Sequence, residues 1–170
     1  MIRPLPVGEL DRSQPRFLVI PRIGVNAPVT EVGSTPEGGV AVPPLADHDL
    51  AGWYREGPSP GQAGAAAVVG HLDTVTGPAI FARLSELRPG DSVGVVRADH
   101  VVAVFVVYAD LRTPKSAFPA AAVFRRPARP GIRLITCSGA FDRARRSYLD
   151  NLIVFGTFSA AYRQADLRSR

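Results

Sequence analysis

Short apolar runs, each closed by glycine or proline, set the rhythm of this chain. Phe17–Ile20 and Ala27–Val32 are β-type runs broken by Pro21 and Gly24, and they predict a first pair of strands. Ser34–Gly39 is a turn cluster, Val40–Val42 a short strand closed by Pro43-Pro44, and Leu50–Tyr54 a single helical turn. Gly57–Gly64 holds two Pro and three Gly and predicts a loop. Ala65–Gly70 is uniformly small and apolar, the pattern of a strand buried on both faces, and it leads directly into His71. Within Pro78–Leu87 the residues Ile80, Phe81, Leu84 and Leu87 recur at helical spacing, which predicts a short amphipathic helix ended by Pro89-Gly90-Asp91. Ser92–Arg97 and Val101–Ala109 predict a hairpin around Ala98-Asp99-His100. Thr113–Pro130 is a long connection with four prolines, a length that in a compact domain marks function or mobility. Ile132–Thr136 is again a β run with Cys137 at its end, Ser138-Gly139 turns the chain away, and Leu152–Phe158 is the last strand. The sum is one all-β domain of about eight strands with one or two short helices.

Residues 1–15, with Pro4, Pro6 and Pro15 and little periodicity, predict an extended arm or linker. Residues 160–170 are polar and are expected to form a flexible tail, leaving 16–159 as the folded domain. No internal repeat or low-complexity tract interrupts it.

Composition narrows the possibilities. At 170 residues, 46% apolar and 21% charged, the chain is globular and long enough to bury a core. Its net charge of +5 invites nucleic acid or an anionic surface as partner. There is no Lys/Arg-rich recognition helix and no aromatic platform between basic residues, so nucleic acid is set aside and the charge is taken as a solvated basic surface. Of the twenty basic residues only Lys115 is a lysine, which suggests a genomic coding bias. The single cysteine excludes an internal disulfide and a multi-cysteine metal site. No run reaches the ~20 apolar residues of a membrane span, and Met1–Gln14 has no signal-peptide pattern. The chain is therefore expected to be soluble as written, or to lack a membrane-proximal N-terminus.

Two residues stand where chemistry is possible. Cys137 follows Leu134-Ile135-Thr136, and a cysteine held by a sheet with its sulfur toward solvent suits a nucleophile. Position alone does not separate this from a small buried hydrophobe. His71 ends a comparable strand, Gly70 before it permits close approach, and imidazole carries protons near neutral pH, as acyl transfer through a thiol requires. His48 and His100 sit among turn residues, and the spacing of the three histidines and one cysteine resembles no zinc motif. Arg143, Arg145 and Arg146 follow the cysteine, and a guanidinium there suits an oxyanion or a substrate carbonyl, although at least two of the three must be plain surface residues.

Taken together, Val69-Gly70-His71-Leu72-Asp73-Thr74, Leu134-Ile135-Thr136-Cys137 and an arginine shortly after it resemble a sortase. Val19-Ile20-Pro21-Arg22-Ile23-Gly24-Val25, Gly52-Trp53-Tyr54 and the stretch from Ile80-Phe81 to Gly90-Asp91 support the likeness, which covers roughly residues 16–158. Cys137-Ser138-Gly139-Ala140-Phe141-Asp142 with Tyr148-Leu149-Asp150-Asn151 is most similar to the class F branch of high-GC Gram-positive bacteria. The resemblance implies a closed eight-stranded β-barrel with short helices. It also implies a membrane-tethered, extracytoplasmic, monomeric enzyme without a cofactor. Such an enzyme cuts a C-terminal sorting signal such as Leu-Pro-x-Thr-Gly and passes the acyl group through a thioester to an amine of the peptidoglycan precursor.

Carried onto this chain, the resemblance makes Cys137 the nucleophile, His71 the general acid/base and Arg146 the oxyanion and substrate clamp, with Arg145 and Arg143 as fallbacks. Thr136 falls on the substrate side, and Phe118 and Val123 are expected to line the pocket for the signal. Two departures are visible: Leu149 stands where many class F-like chains carry arginine, and Ser138 where many family members have glycine. Two other classes stay open. One is a cysteine peptidase or L,D-transpeptidase, although no histidine lies near Cys137; the other is a degenerate sortase-like barrel that binds peptide without turnover.

Overall fold

The computed structural model describes residues 1–168. Among the described residues ten strands form: β1 (Pro15–Ile20), β2 (Val25–Val32), β3 (Ala51–Tyr54), β4 (Ala65–Val69), β5 (Asp73–Thr74), β6 (Gly77–Pro78), β7 (Ser92–Arg97), β8 (Val101–Pro114), β9 (Gly131–Asp142) and β10 (Ser147–Arg163). Helices are short, α1 (Ala120–Val123) and α2 (Gln164–Arg168), with 3-10 turns at Pro21–Ile23, Leu84–Glu86 and Lys115–Ala117. Eight strands close a barrel in the order β1-β2-β3-β4-β9-β10-β8-β7, as the resemblance implied, and β5 and β6 make a small separate ribbon. Closure leaves the barrel itself without a free edge strand among the described residues. Most neighbours are antiparallel, but β2 with β3 and β4 with β9 run parallel.

Alternation explains the core. On β9, Ile132 and Leu134 enter the main interior cluster with Leu18, Phe105 and Val154, whereas Ile135 joins a second cluster with Ala67, Val69, Val123 and Ile153. Strand β4 and the first half of β9 (131–136) are thus buried on both faces, because α1 and the connection around it cover the barrel wall there. Arg133, on that outer face, donates from Nε to the Val123 carbonyl at 3.1 Å and stacks over Phe155 at 4.7 Å. Burial holds its guanidinium below the ordinary value for arginine. Arg133 therefore ties the covering segment to the barrel.

Several elements differ from the sequence reading. Leu50–Tyr54 is not a helical turn: Ala51–Tyr54 pairs in parallel with Val29–Val32, a long-range partner that local pattern does not reveal. Val40–Val42 contributes only an isolated bridge between Ser34 and Val40. Phe81, Leu84 and Leu87 are buried as their spacing predicts, each gaining about 1.5–3 kcal/mol, but the backbone is a chain of turns with bonds such as Leu84 N to Phe81 O and Leu87 N to Leu84 O. Strand β9 does not stop at Cys137; it continues to Asp142, and the turn lies at Arg143–Arg146.

The two chain ends are also held. In the proline-bearing arm, Leu5 N donates to Ala161 O at 2.7 Å and Leu10 N to Gly61 O at 2.8 Å. Buried Arg97 donates to the carbonyls of Asp11 and Pro60, each at 2.7 Å, and grips both oxygens of Asp99. Burial opposes the Asp99 charge, but the Arg97 guanidinium outweighs it and keeps that carboxyl below its ordinary value. The tail expected from Ala160 instead extends β10, with Ala160–Arg163 pairing against Val101–Val104 and Ala161 fully buried. Ser169 and Arg170, the end of that expected tail, lie outside the described residues.

Gly70, just before His71, is packed too closely for a side chain. A Cβ there would lie 2.7 Å from a Phe81 ring carbon and 2.8 Å from an Ile80 methyl. Gly70→Ala is expected to cost about 1–3 kcal/mol through overpacking, read as a fall in the midpoint of thermal unfolding.

Candidate active site

The parallel pairing of β4 with β9 decides where the reactive side chains meet. Val69 pairs with Ile135, so His71 and Cys137 both stand two residues beyond the same rung of strands running in the same direction. The rung is closed beyond Val69 by Gly70 N donating to Ile135 O at 3.1 Å and Thr136 Oγ1 donating to Gly70 O at 2.7 Å. Because strand side chains alternate, Ala67 and Val69 share one face with Ile135, and Cys137 lies on that face just beyond the second cluster.

His71 is buried at 9% exposure, and its Nε2 lies 2.6 Å from the Pro43 carbonyl oxygen. A carbonyl only accepts, so Nε2 carries the proton and donates. Nδ1 is left as the nitrogen able to accept a proton, and the ring orientation is set by the loop between β2 and β3. Cys137 is partly exposed. Its sulfur accepts a hydrogen bond from Lys115 Nζ at 3.5 Å, and the same ammonium donates to Ser147 Oγ at 3.0 Å.

Two cavities meet at this pair. The first, about 1040 Å³, is walled by Val40, Val42, Tyr54, Phe118 and Phe124 and has His71, Thr136 and Cys137 on its floor. The second, about 800 Å³, also contains His71 and Cys137 and is bounded by Leu45, Phe141, Tyr148, Arg143 and Arg146. Thr136 and Phe118 therefore lie on the groove, but Val123 does not: it is fully buried in the second cluster, under the wall it was expected to form.

The three arginines separate. Asp142 Oδ1 accepts from Ala144 N at 2.9 Å and Arg145 N at 3.1 Å, closing the β9–β10 turn. Arg145 is solvent-exposed, with Nε 3.8 Å from Asp142 Oδ2. Arg143 and Arg146 border the second cavity. Arg146 ends the turn at φ 52°, a left-handed conformation that is strained for a non-glycine residue. Past Cys137 the hairpin carries a bulge: Gly139 and Ala140 oppose Leu149 alone, Gly139 adopts φ 79°, and a Cβ on it would collide with the Asp150 carboxylate. Leu149 is exposed on that bulge.

Tyr148 bridges the hairpin to the segment after His71 by donating its phenol to Asp73 Oδ2. That hydrogen bond, then burial, then the negative charges of Asp73 and Cys137 hold the phenol above its ordinary value. Neither this bridge nor the Pro43 and Lys115 contacts was visible in the sequence. Lys115 had one signal, as the chain's single lysine; Pro43 had none, since a backbone carbonyl carries no residue signature.

A barrel whose wall brings one thiol and one imidazole to the floor of an apolar groove is the frame of a thiol acyl-transfer enzyme. A family model described as the sortase domain matches residues 18–159. The chain belongs to the sortase family of cysteine transpeptidases. Among solved structures it is similar to the SrtA sortase from Actinomyces oris, with 24% identity and a TM-score of 0.68 over 96% of this chain and 88% of that one. It is similar also to sortase C-1 of Actinomyces oris (21% identity, TM-score 0.65, 84% and 72% covered). Sortase A of Listeria monocytogenes gives 15% identity and a TM-score of 0.65, with 89% and 90% covered. These likenesses concern the fold. No curated protein matches the chain.

The Tyr148–Asp73 bridge yields a spectroscopic expectation. In an ultraviolet titration, Asp73→Asn should move one tyrosine toward the ordinary tyrosine range, and Tyr148→Phe should remove that late-titrating phenol.

Proposed function

We propose that this sortase cleaves a C-terminal Leu-Pro-x-Thr-Gly-like sorting signal and transfers the acyl group to an amine of the peptidoglycan precursor, in the manner of class F. Its place would be the outer face of the membrane, and it would act as a monomer. No helix among the described residues is long and apolar enough to cross a membrane. The observation that supports the reading is the shared floor of the two cavities, since His71 and Cys137 line both; in this reading one takes the peptide and the other the acceptor.

In this scheme the Cys137 thiol passes its proton to His71 Nδ1, and the thiolate so formed attacks the threonine carbonyl carbon, making the S–C bond and pushing the carbonyl electrons onto oxygen. Arg146 stabilises that oxyanion. The tetrahedral intermediate collapses as the C–N bond breaks, and His71 gives a proton to the leaving glycine amine. The acceptor amine then attacks the thioester and yields a proton to His71, and the sulfur leaves as thiolate. The apolar groove wall suits the leucine and proline of such a signal: Val42 and Phe124 are exposed there and Phe118 packs against Phe124. Leu149 favours a second reading, a barrel that binds the signal without turning it over, because it occupies a place where an arginine often stands in class F-like chains.

Incubation with a Leu-Pro-x-Thr-Gly peptide, followed by intact mass spectrometry, separates the two. A hydroxylamine-labile adduct is expected on the wild type and should be absent in Cys137→Ala, while His71→Ala should show no turnover. No adduct from a panel of such peptides would support the non-catalytic barrel. Among the arginines, Arg146→Ala is expected to lower kcat/KM by about 10²–10³. Arg143→Ala should stay within a few-fold of wild type, and the reverse ranking would reassign the clamp.

A further inference from the structure

Lys115 stands at the thiol, and the mechanism above gives it nothing to do. It is the single lysine among twenty basic residues, and its Nζ donates to Cys137 Sγ at 3.5 Å. Its placement is specified by the fold. Thr113 pairs with Asn151, and Asn151 pairs with Cys137, so one rung runs from β8 through β10 to the cysteine on β9. Pro114 then starts the 3-10 turn Lys115–Ala117, and buried Thr113 closes it by donating Oγ1 to Ala117 O at 3.1 Å. Ser147 Oγ accepts from the ammonium at 3.0 Å and holds it on the side next to Arg146.

We propose that Lys115 is a further catalytic residue, the cation that stabilises the Cys137 thiolate, which leaves Arg146 for the substrate carbonyl. This rests on the reading of Cys137 as the nucleophile. A positive group in hydrogen-bond contact with sulfur favours the charged, attacking form over the thiol. Once the thioester forms, the sulfur no longer carries that charge, so the contact acts on the free enzyme and again as the sulfur departs in the second step. The division of labour follows the contacts: Lys115 donates to the sulfur, whereas Arg146 lines the second cavity, which Cys137 and Ser147 also line.

Alkylation by iodoacetamide at neutral pH tests this without any peptide, and the chain's single cysteine makes the product unambiguous. Lys115→Met should slow alkylation about five- to ten-fold, a charge-assisted hydrogen bond weakened by solvent exposure. Lys115→Arg should recover most of the rate, with unfolding midpoints unchanged in both. Ser147→Ala, which frees the ammonium, should slow the reaction in the same direction but less. Alkylation of Lys115→Met at the wild-type rate, or equal slowing in Lys115→Met and Lys115→Arg, would overturn the assignment. Absence of a peptide adduct on wild type would instead count against the proposed transpeptidation and leave the alkylation result standing.

Discussion

The parallel pairing of Ala65–Val69 with Gly131–Ile135 is the constraint on which the rest depends. Parallel strands emerge at the same end of a sheet, and an equal offset from one shared rung puts His71 and Cys137, sixty-six positions apart in sequence, on one floor. Antiparallel pairing would have sent them to opposite ends of the barrel. The pairing in turn requires a strand of small side chains, because β4 is packed from both sides by the barrel interior and by the segment that carries α1. Ala65, Ala66 and Ala67 meet that requirement, and Gly70 meets it where Phe81 and Ile80 press closest.

Around that rung the site is assembled from parts with separate supports. The loop between β2 and β3 supplies the Pro43 carbonyl that fixes the imidazole, the β8–β9 connection supplies both Phe118 on the groove wall and Lys115 at the sulfur, and the β9–β10 turn supplies Arg143 and Arg146. Strand ends and short loops on a closed barrel combine rigidity at the nucleophile with freedom to vary the walls. Tyr148 and Asp73 then tie the arginine-bearing hairpin to the segment following His71, so the two sides of the second cavity are not independent.

Sequence pattern served best where a signal is local. The runs that became β1, β2, β4, β7, β8, β9 and β10 carry alternating or continuous apolar residues, and turn chemistry separates them. It failed where the partner is distant: Ala51–Tyr54 has no strand signature strong enough to outweigh its short length, and it is a strand because β2 lies beside it. The same reason explains the underestimated length of β9 and β10. Beyond Cys137 the hairpin is largely exposed and has no continuous apolar run, and each strand there exists because the other pairs with it across a glycine bulge.

What the sequence by itself determined was a β-rich domain, one thiol, one strand-end histidine and a basic turn after the cysteine, since these follow from composition, period and residue chemistry. Only the tertiary structure decided that β4 and β9 run parallel in the register that joins His71 to Cys137. It also decided that Val123 is core while Phe118 is groove, that Arg145 leaves the site, and that Lys115 enters it. Those outcomes depend on which distant segments touch. Contacts of that kind are set by barrel closure, a property of all eight strands together that no single stretch encodes.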